Sequence, residues 1–261
     1  MRSRAKRKKS KLKKVLSFFF YVLKNLGPMG WFLTVMVGVL ALNFSWQIYQ
    51  KPTETLSLIF GQQVKSPQQT WNDYGSEFKE NSTLLLSPTF LAALAQIESG
   101  GDPFASPPWQ WNWQRTWKDW FAPISSSVGL YQFTRGTYEQ ARSFCIQNNQ
   151  VVRTGQWFEW NTCWFNAFYM RFSPSDSIEM AASFLTHSLT KLLPKEQQVS
   201  SASAEKLAAI IHLCGEGVAQ RFVNRLSAIS TRHRCGTHSI STYLKKLQRT
   251  KKIFEGIAQK S

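Results

Sequence analysis

Three groups of side chains in this 261-residue chain have types and spacings suited to chemistry: a lone carboxylate, four cysteines, and two crowded aromatic runs. Glu98 is the carboxylate. Leu91, Leu94 and Glu98 fall at i, i+3 and i+7, which places them on one helical face, the face that should turn toward a core. A carboxyl there loses water, and at a helix C-terminus it also meets the negative end of the dipole. Both effects favour the protonated form and predict a raised pKa. Such a group is a general acid near neutral pH, as glycosidic cleavage requires: the departing oxygen is protonated while an oxocarbenium-like centre is stabilised. The competing account has Glu98 turning to solvent at a frayed helix end.

Cys145, Cys163, Cys214 and Cys235 allow three pairings. The sequence-adjacent pairs, Cys145 with Cys163 and Cys214 with Cys235, close short loops and are expected. His212, His233 and His238 near the second pair make zinc the alternative, but no C-x-x-C spacing supports it, so neither metal nor cofactor is expected.

The elements that must position these groups read as helices, with almost no strand alternation and no internal repeat. Ser87 caps the Glu98 helix, Pro88 suits its first position, and Gly100-Gly101 stops it. Further helices are expected after Thr134 (Tyr138, Ala141 and Cys145 inward) and over 176–193, ended by Pro194. Two short ones should follow over 204–213 and 218–229. A last helix over 240–258 should turn Ile240, Leu244, Leu247 and Phe254 inward and a basic face outward.

Charge sets the topology. The net charge is +17, but residues 1–24 carry +10 and 243–261 carry +5, which leaves a nearly neutral body and argues against a nucleic-acid partner. Residues 25–50 hold no charge. They are long enough to cross ~30 Å of hydrocarbon as a helix, with Trp31 and Trp46 at belt positions. A cleaved signal peptide is the alternative, although no A-x-A site follows. The positive-inside rule predicts a cytoplasmic head (1–24), one transmembrane helix (25–50), a polar periplasmic tether (51–84) and an exported domain (85–261). The cysteines then lie where disulfides persist.

Glu98-Ser99-Gly100-Gly101-Asp102-Pro103-Phe104-Ala105, followed by Gly129-Leu130-Tyr131-Gln132-Phe133-Thr134, resembles the soluble lytic transglycosylase family, which is related to goose-type lysozyme. That family shows E-S-G-x-x-P-x-A, then G-L-M-Q with an apolar residue, then a helix. Residues 176–185 are similar to its third block, and Ile211-His212-Leu213-Cys214-Gly215-Glu216-Gly217 stands in the place of A-Y-N-A-G-P-G. The blocks run in order over residues 88–226, roughly half the chain.

The resemblance implies a mainly α, lysozyme-like domain behind the N-terminal transmembrane helix. It also implies a peptidoglycan lytic transglycosylase, which the charge pattern would hold at the inner membrane; local wall opening would suit a secretion, pilus or other envelope machine, and the sequence does not choose among them. Glu98 would be the sole catalytic acid and base, cutting MurNAc–GlcNAc and leaving a 1,6-anhydro end. Ser99, Gln132 and a groove-lining Tyr131 would bind substrate, with His212 in the place of the family tyrosine. Asp102, in a Gly-Gly-Asp-Pro turn, reads as structural, and Asp119 and Glu139 are assigned no base role. A hydrolytic muramidase is one alternative, and an inactive glycan-binding subunit of an envelope assembly is another.

An insertion over 107–127 carries Trp109, Trp111, Trp113, Trp117 and Trp120, whose flat indoles suit the C–H faces of sugars. The competing account is a small aromatic core that anchors the loop. In the second aromatic run, Trp157, Phe158, Trp160 and Trp164 precede Asn166, Tyr169 and Arg171, three further candidates for the groove.

Overall fold

The computed structural model describes residues 27–51, 54, 55, 58, 61, 63–153, 155, 162–193, 199–226, 229, 230 and 232–260. The basic head, Trp157, Phe158, Trp160 and Pro194 lie outside the described residues. The chain is mainly helical, with eight α-helices and a few short strands among the described residues. It forms two units: Met1–Pro52 with Trp109–Ala122, and Thr53–Pro108 with Pro123–Ser261.

In the first unit, α1 (Pro28–Gln50) starts with proline at its first turn, is long and apolar enough to cross a membrane, and buries only Asn43 and Gln47. Both polar side chains meet the tight turn Trp117–Asp119. The Asn43 amide donates to the carbonyls of Trp117 (2.9 Å) and Lys118 (2.7 Å). The Gln47 amide donates to the Lys118 carbonyl and to Asp119 Oδ1 at 3.2 Å. β1 (Trp109–Trp111) and β2 (Phe121–Pro123) flank that turn as a two-stranded sheet.

The second unit holds the hydrophobic core, and here the expected tether needs correcting. Within 51–84, α2 (Pro67–Glu80) is a folded helix, closed at its start by reciprocal Ser66 and Gln69 hydrogen bonds. Trp71, Tyr74 and Phe78, at i, i+3 and i+7, are buried in the core, with Trp71 6.0 Å from the Phe254 ring. Three aromatics bury enough area to fold a segment whose other positions are polar.

α3 (Pro88–Ser99) is bounded as expected: Ser87 Oγ accepts from the Phe90 N–H, and Gly100 takes a left-handed conformation. α4 (Arg135–Ala141) is capped by Thr134 but ends early. Cys145 therefore sits on β3 (Phe144–Gln147) rather than on a helix face. β3 pairs with β4 (Gln150–Arg153) across Asn148-Asn149, and both turn residues have positive φ. That is the mirror-image turn that two-residue hairpins favour. α5 (Pro174–Leu192) and α6 (Ser201–Cys214) follow closely the expected spans. The helix expected over 218–229 is instead the short α7 (Glu216–Ala219) and a single 3-10 turn, Gln220–Phe222. β5 (Arg234–Cys235) and β6 (His238–Ser239) form a hairpin leading into α8 (Ile240–Ala258), which buries Ile240, Leu244, Leu247 and Phe254.

Both expected disulfides are present, with Cα atoms 5.6 Å apart in each. Cys145–Cys163 spans 18 residues and Cys214–Cys235 spans 21, and loops of that length stabilise by about 3 kcal/mol each in the chain-entropy account. With Cys214 and Cys235 bonded to each other, the zinc alternative loses its thiolates. Buried Glu205 fastens three elements by accepting from Ser87 N–H (3.3 Å), Ser87 Oγ (2.5 Å) and the Lys251 ammonium (2.6 Å). Gly129 (φ 81°) is obligatory, because a Cβ there would lie 2.0 Å from the Arg171 carbonyl oxygen.

A core role for α2 has a measurable consequence. Trp71→Ala should cost about 3–5 kcal/mol in urea unfolding of the second unit, whereas a tether residue would leave the midpoint where it was.

Candidate active site

Three helix ends bring the site together. Glu98 lies in the last turn of α3, His212 in the last turn of α6 and Tyr243 in the first turn of α8. The Tyr243 hydroxyl donates to Glu98 Oε1, and His212 Nε2 stands 3.8 Å from the same oxygen. At that distance the imidazole acts through charge, when protonated, more than through a hydrogen bond. Lys246, one turn beyond Tyr243, reaches the Ile97 carbonyl at 3.4 Å, which places a cation at the negative end of α3.

Glu98 opens into a cleft of about 570 Å³ whose lining comes from α3, α6, the β5–β6 hairpin (Arg234, Thr237, His238, Ser239) and α8 (Thr242, Tyr243, Lys246). Glu98 is the only carboxylate among these lining residues. Its side chain keeps 18% of its surface, so it is mostly buried yet reachable.

The raised pKa expected for Glu98 is a correction. Burial is the largest single influence and does push it up, but the His212 imidazole, the Tyr243 hydroxyl and the Lys246 ammonium together pull harder. The net result is a carboxyl held below the usual range, hence ionised near neutral pH. Tyr243 moves the opposite way. Burial first, then the Glu98 charge and hydrogen bond, raise its pKa well above the ordinary phenol value, so it remains a donor.

Of the other sequence candidates described within the second unit, His212 is the one drawn to Glu98. Tyr131 is not groove-lining: its ring is wholly buried in the core and its hydroxyl donates to the Leu91 carbonyl at 3.1 Å. Gln132, at φ 49°, turns its amide back onto the carbonyls of Ala105 (2.9 Å) and Gly129 (3.0 Å), tying the loop. Ser99 is buried and donates to the Ala95 carbonyl within its own helix.

The second aromatic run is likewise committed elsewhere. The Tyr169 hydroxyl donates to Glu179, and buried Asn166 and Arg171 serve carbonyls of Phe144 and of Ser126 and Phe133. Arg171 also pairs with buried Glu54 at 3.3 Å. Asp102 is structural, accepting from the Gln63 and Phe104 N–H groups, and Glu139 pairs with Arg142. Trp109, Trp111 and Trp113 belong to the unit of α1, where Trp111 stacks on Trp113 and Trp109 packs on Phe121.

Sequence reasoning missed Tyr243, Lys246 and the β5–β6 hairpin. One signal was available: Tyr243 lies between Ile240 and Leu247 on the inward stripe of α8, a polar tip on an apolar face. No family model, no curated protein and no solved structure matches the chain.

The electrostatics give a sign. A carboxyl whose folded pKa is depressed stabilises the fold above the unfolded value, and that contribution is lost as pH falls through the folded one. Tyr243→Phe should raise the Glu98 pKa in a carboxyl ¹³C titration, and Glu98→Gln should flatten the acid side of the stability–pH curve. An unmoved Glu98 titration in the Phe variant would show that the hydroxyl does not hold the carboxylate.

Proposed function

We propose that the chain is a membrane-anchored lytic transglycosylase that cuts peptidoglycan glycan strands on the outer side of the inner membrane, with a lysozyme-like domain carrying Glu98. The observation that carries this reading is a lone carboxylate, hydrogen-bonded by Tyr243 and faced by His212 at 3.8 Å, in a cleft with no second carboxylate among its lining residues. Ordinary glycosidases need two. Transglycosylation needs one, because the attacking group belongs to the substrate.

In the proposed reaction Glu98, protonated in the complex, gives its proton to the oxygen that links MurNAc to GlcNAc as the C1–O bond breaks. The sugar's own C6 hydroxyl then bonds to C1 and returns its proton to Glu98, so no water is consumed. A strand lying over Glu98 removes water from it and strengthens the burial effect that already favours the neutral form. Tyr243 and His212 would hold the regenerated carboxylate in place between the two proton transfers. Tyr243 thereby supplies the phenol that the His212-Leu213 pair removes from the family's usual position.

Export is supported by two facts: both cysteine pairs are bonded, as oxidising compartments allow, and the apolar α1 follows ten cationic residues in 1–24.

The test is mass spectrometry of peptidoglycan treated with the full chain. The parent should release anhydro-muropeptides, Glu98→Gln should be slower by about 10²–10⁴-fold, and kcat/KM should rise as pH falls toward the carboxylate range. Products ending in reducing MurNAc would replace transglycosylation by hydrolysis. An unimpaired Gln variant would remove Glu98 as the acid.

A further inference from the structure

We infer that the Trp109–Ala122 segment is a second membrane element, docked on α1 and seated at the headgroup–acyl boundary of a bilayer, so that its exposed indoles meet lipid. The inference rests on the reading of α1 as a membrane span.

α1 is polarised the wrong way round for water. Its only buried residues are Asn43 and Gln47, while Phe32, Val37 and Leu42 are each more than 60% exposed. In a bilayer that pattern is the stable one, since apolar side chains face lipid and polar ones must find partners inside the protein. The partners are the Trp117 and Lys118 carbonyls and the Asp119 carboxylate. The loop therefore supplies the acceptors that two amides on the span require.

The level of this contact follows from helix rise. Asn43 and Gln47 lie 15 and 19 residues beyond Pro28, about 22 and 28 Å along the axis at 1.5 Å per residue. That is the far edge of a hydrocarbon core ~30 Å thick. The same level carries Trp46, whose ring has the Lys118 ammonium 4.4 Å from its centre, and Lys51, which stands 3.7 Å from Asp119.

Composition completes the case. Indoles with an apolar body and one N–H, interleaved with Lys and Arg, are the chemistry of the interface. Trp111, Trp113 and Trp117 are 49%, 64% and 41% exposed. A glycan platform offers free ring faces side by side, whereas Trp111 and Trp113 stack on each other at 5.1 Å and spend one face of each.

The experiment is depth-dependent quenching of tryptophan fluorescence, with the full chain in phosphatidylethanolamine–phosphatidylglycerol vesicles carrying a doxyl label either shallow or deep in the acyl chains. Substituting Trp111, Trp113 and Trp117 together by Gln should lower the shallow-label quenching. Asn43→Leu with Gln47→Leu, which leaves every indole in place but removes the dock, should lower it in the same direction. Equal shallow quenching in the parent and both variants overturns the inference. So does protection of these indoles from aqueous iodide by peptidoglycan strands but not by vesicles, which would make the loop a glycan platform. Trp31 and Trp46 separate the two readings: if the triple variant shows no quenching at any depth, α1 itself is not in the bilayer and the anchor reading fails first.

Discussion

The second unit depends on one constraint, the burial of α3 on every side. From Phe90 to Ala95 six consecutive residues have no exposed surface, so the helix is enclosed all round rather than along a stripe. Ala92, Ala93 and Ala95 make this possible, because small side chains let neighbouring helices approach closely. α2, α5 and α8 all pack against α3. An enclosed helix can meet solvent only at its ends. Ser87 anchors one end to Glu205, and the other emerges one turn past the buried run, where Glu98 stands.

That emergence places the carboxyl under opposed forces. Burial favours the neutral acid, while His212, Tyr243 and Lys246 favour the anion and prevail. The balance is conditional, because the burial contribution grows with anything that covers the cleft. A carboxyl held by this balance rests as an anion, and whatever removed water from it would shift it toward the neutral acid. A carboxyl with a fixed high pKa would carry its proton whether or not a ligand was bound.

Local signals with a direct physical cause were legible in the sequence. The limits of α3 follow from Ser87, Pro88 and Gly100, the inward stripe of α8 from a 3.6-residue period, and the cysteine pairs from short loop closure. What failed depended on distance or on averages. α2 looked like a tether because its polar majority masks three aromatics at helical spacing, and their worth depends on Phe254, about 180 residues away. Cys145 left the expected helix because Asn148-Asn149 favour a tight hairpin over another helical turn. Glu98 itself was found, but the sign of its pKa shift was not, because two of the opposing groups come from α8, nearly 150 residues further on.

The aromatic residues show why residue type alone could not delimit the site. Tyr131, Tyr138, Tyr169 and Tyr243 all set a ring against or within the core. What distinguishes them is where the hydroxyl ends. That of Tyr131 serves the Leu91 carbonyl, that of Tyr138 the Tyr169 carbonyl, and that of Tyr169 the Glu179 carboxylate, which also accepts from the Ile146 N–H. The first two links serve backbone carbonyls, and the third a half-buried carboxylate. Tyr243 ends on a carboxylate that lines an open cleft. A hydrogen bond to a buried carbonyl stabilises the fold, whereas one to an accessible carboxylate also sets the proton affinity of a group that a ligand can reach. By that criterion the phenol that matters is Tyr243 on α8, far along the chain from the residues around Glu98.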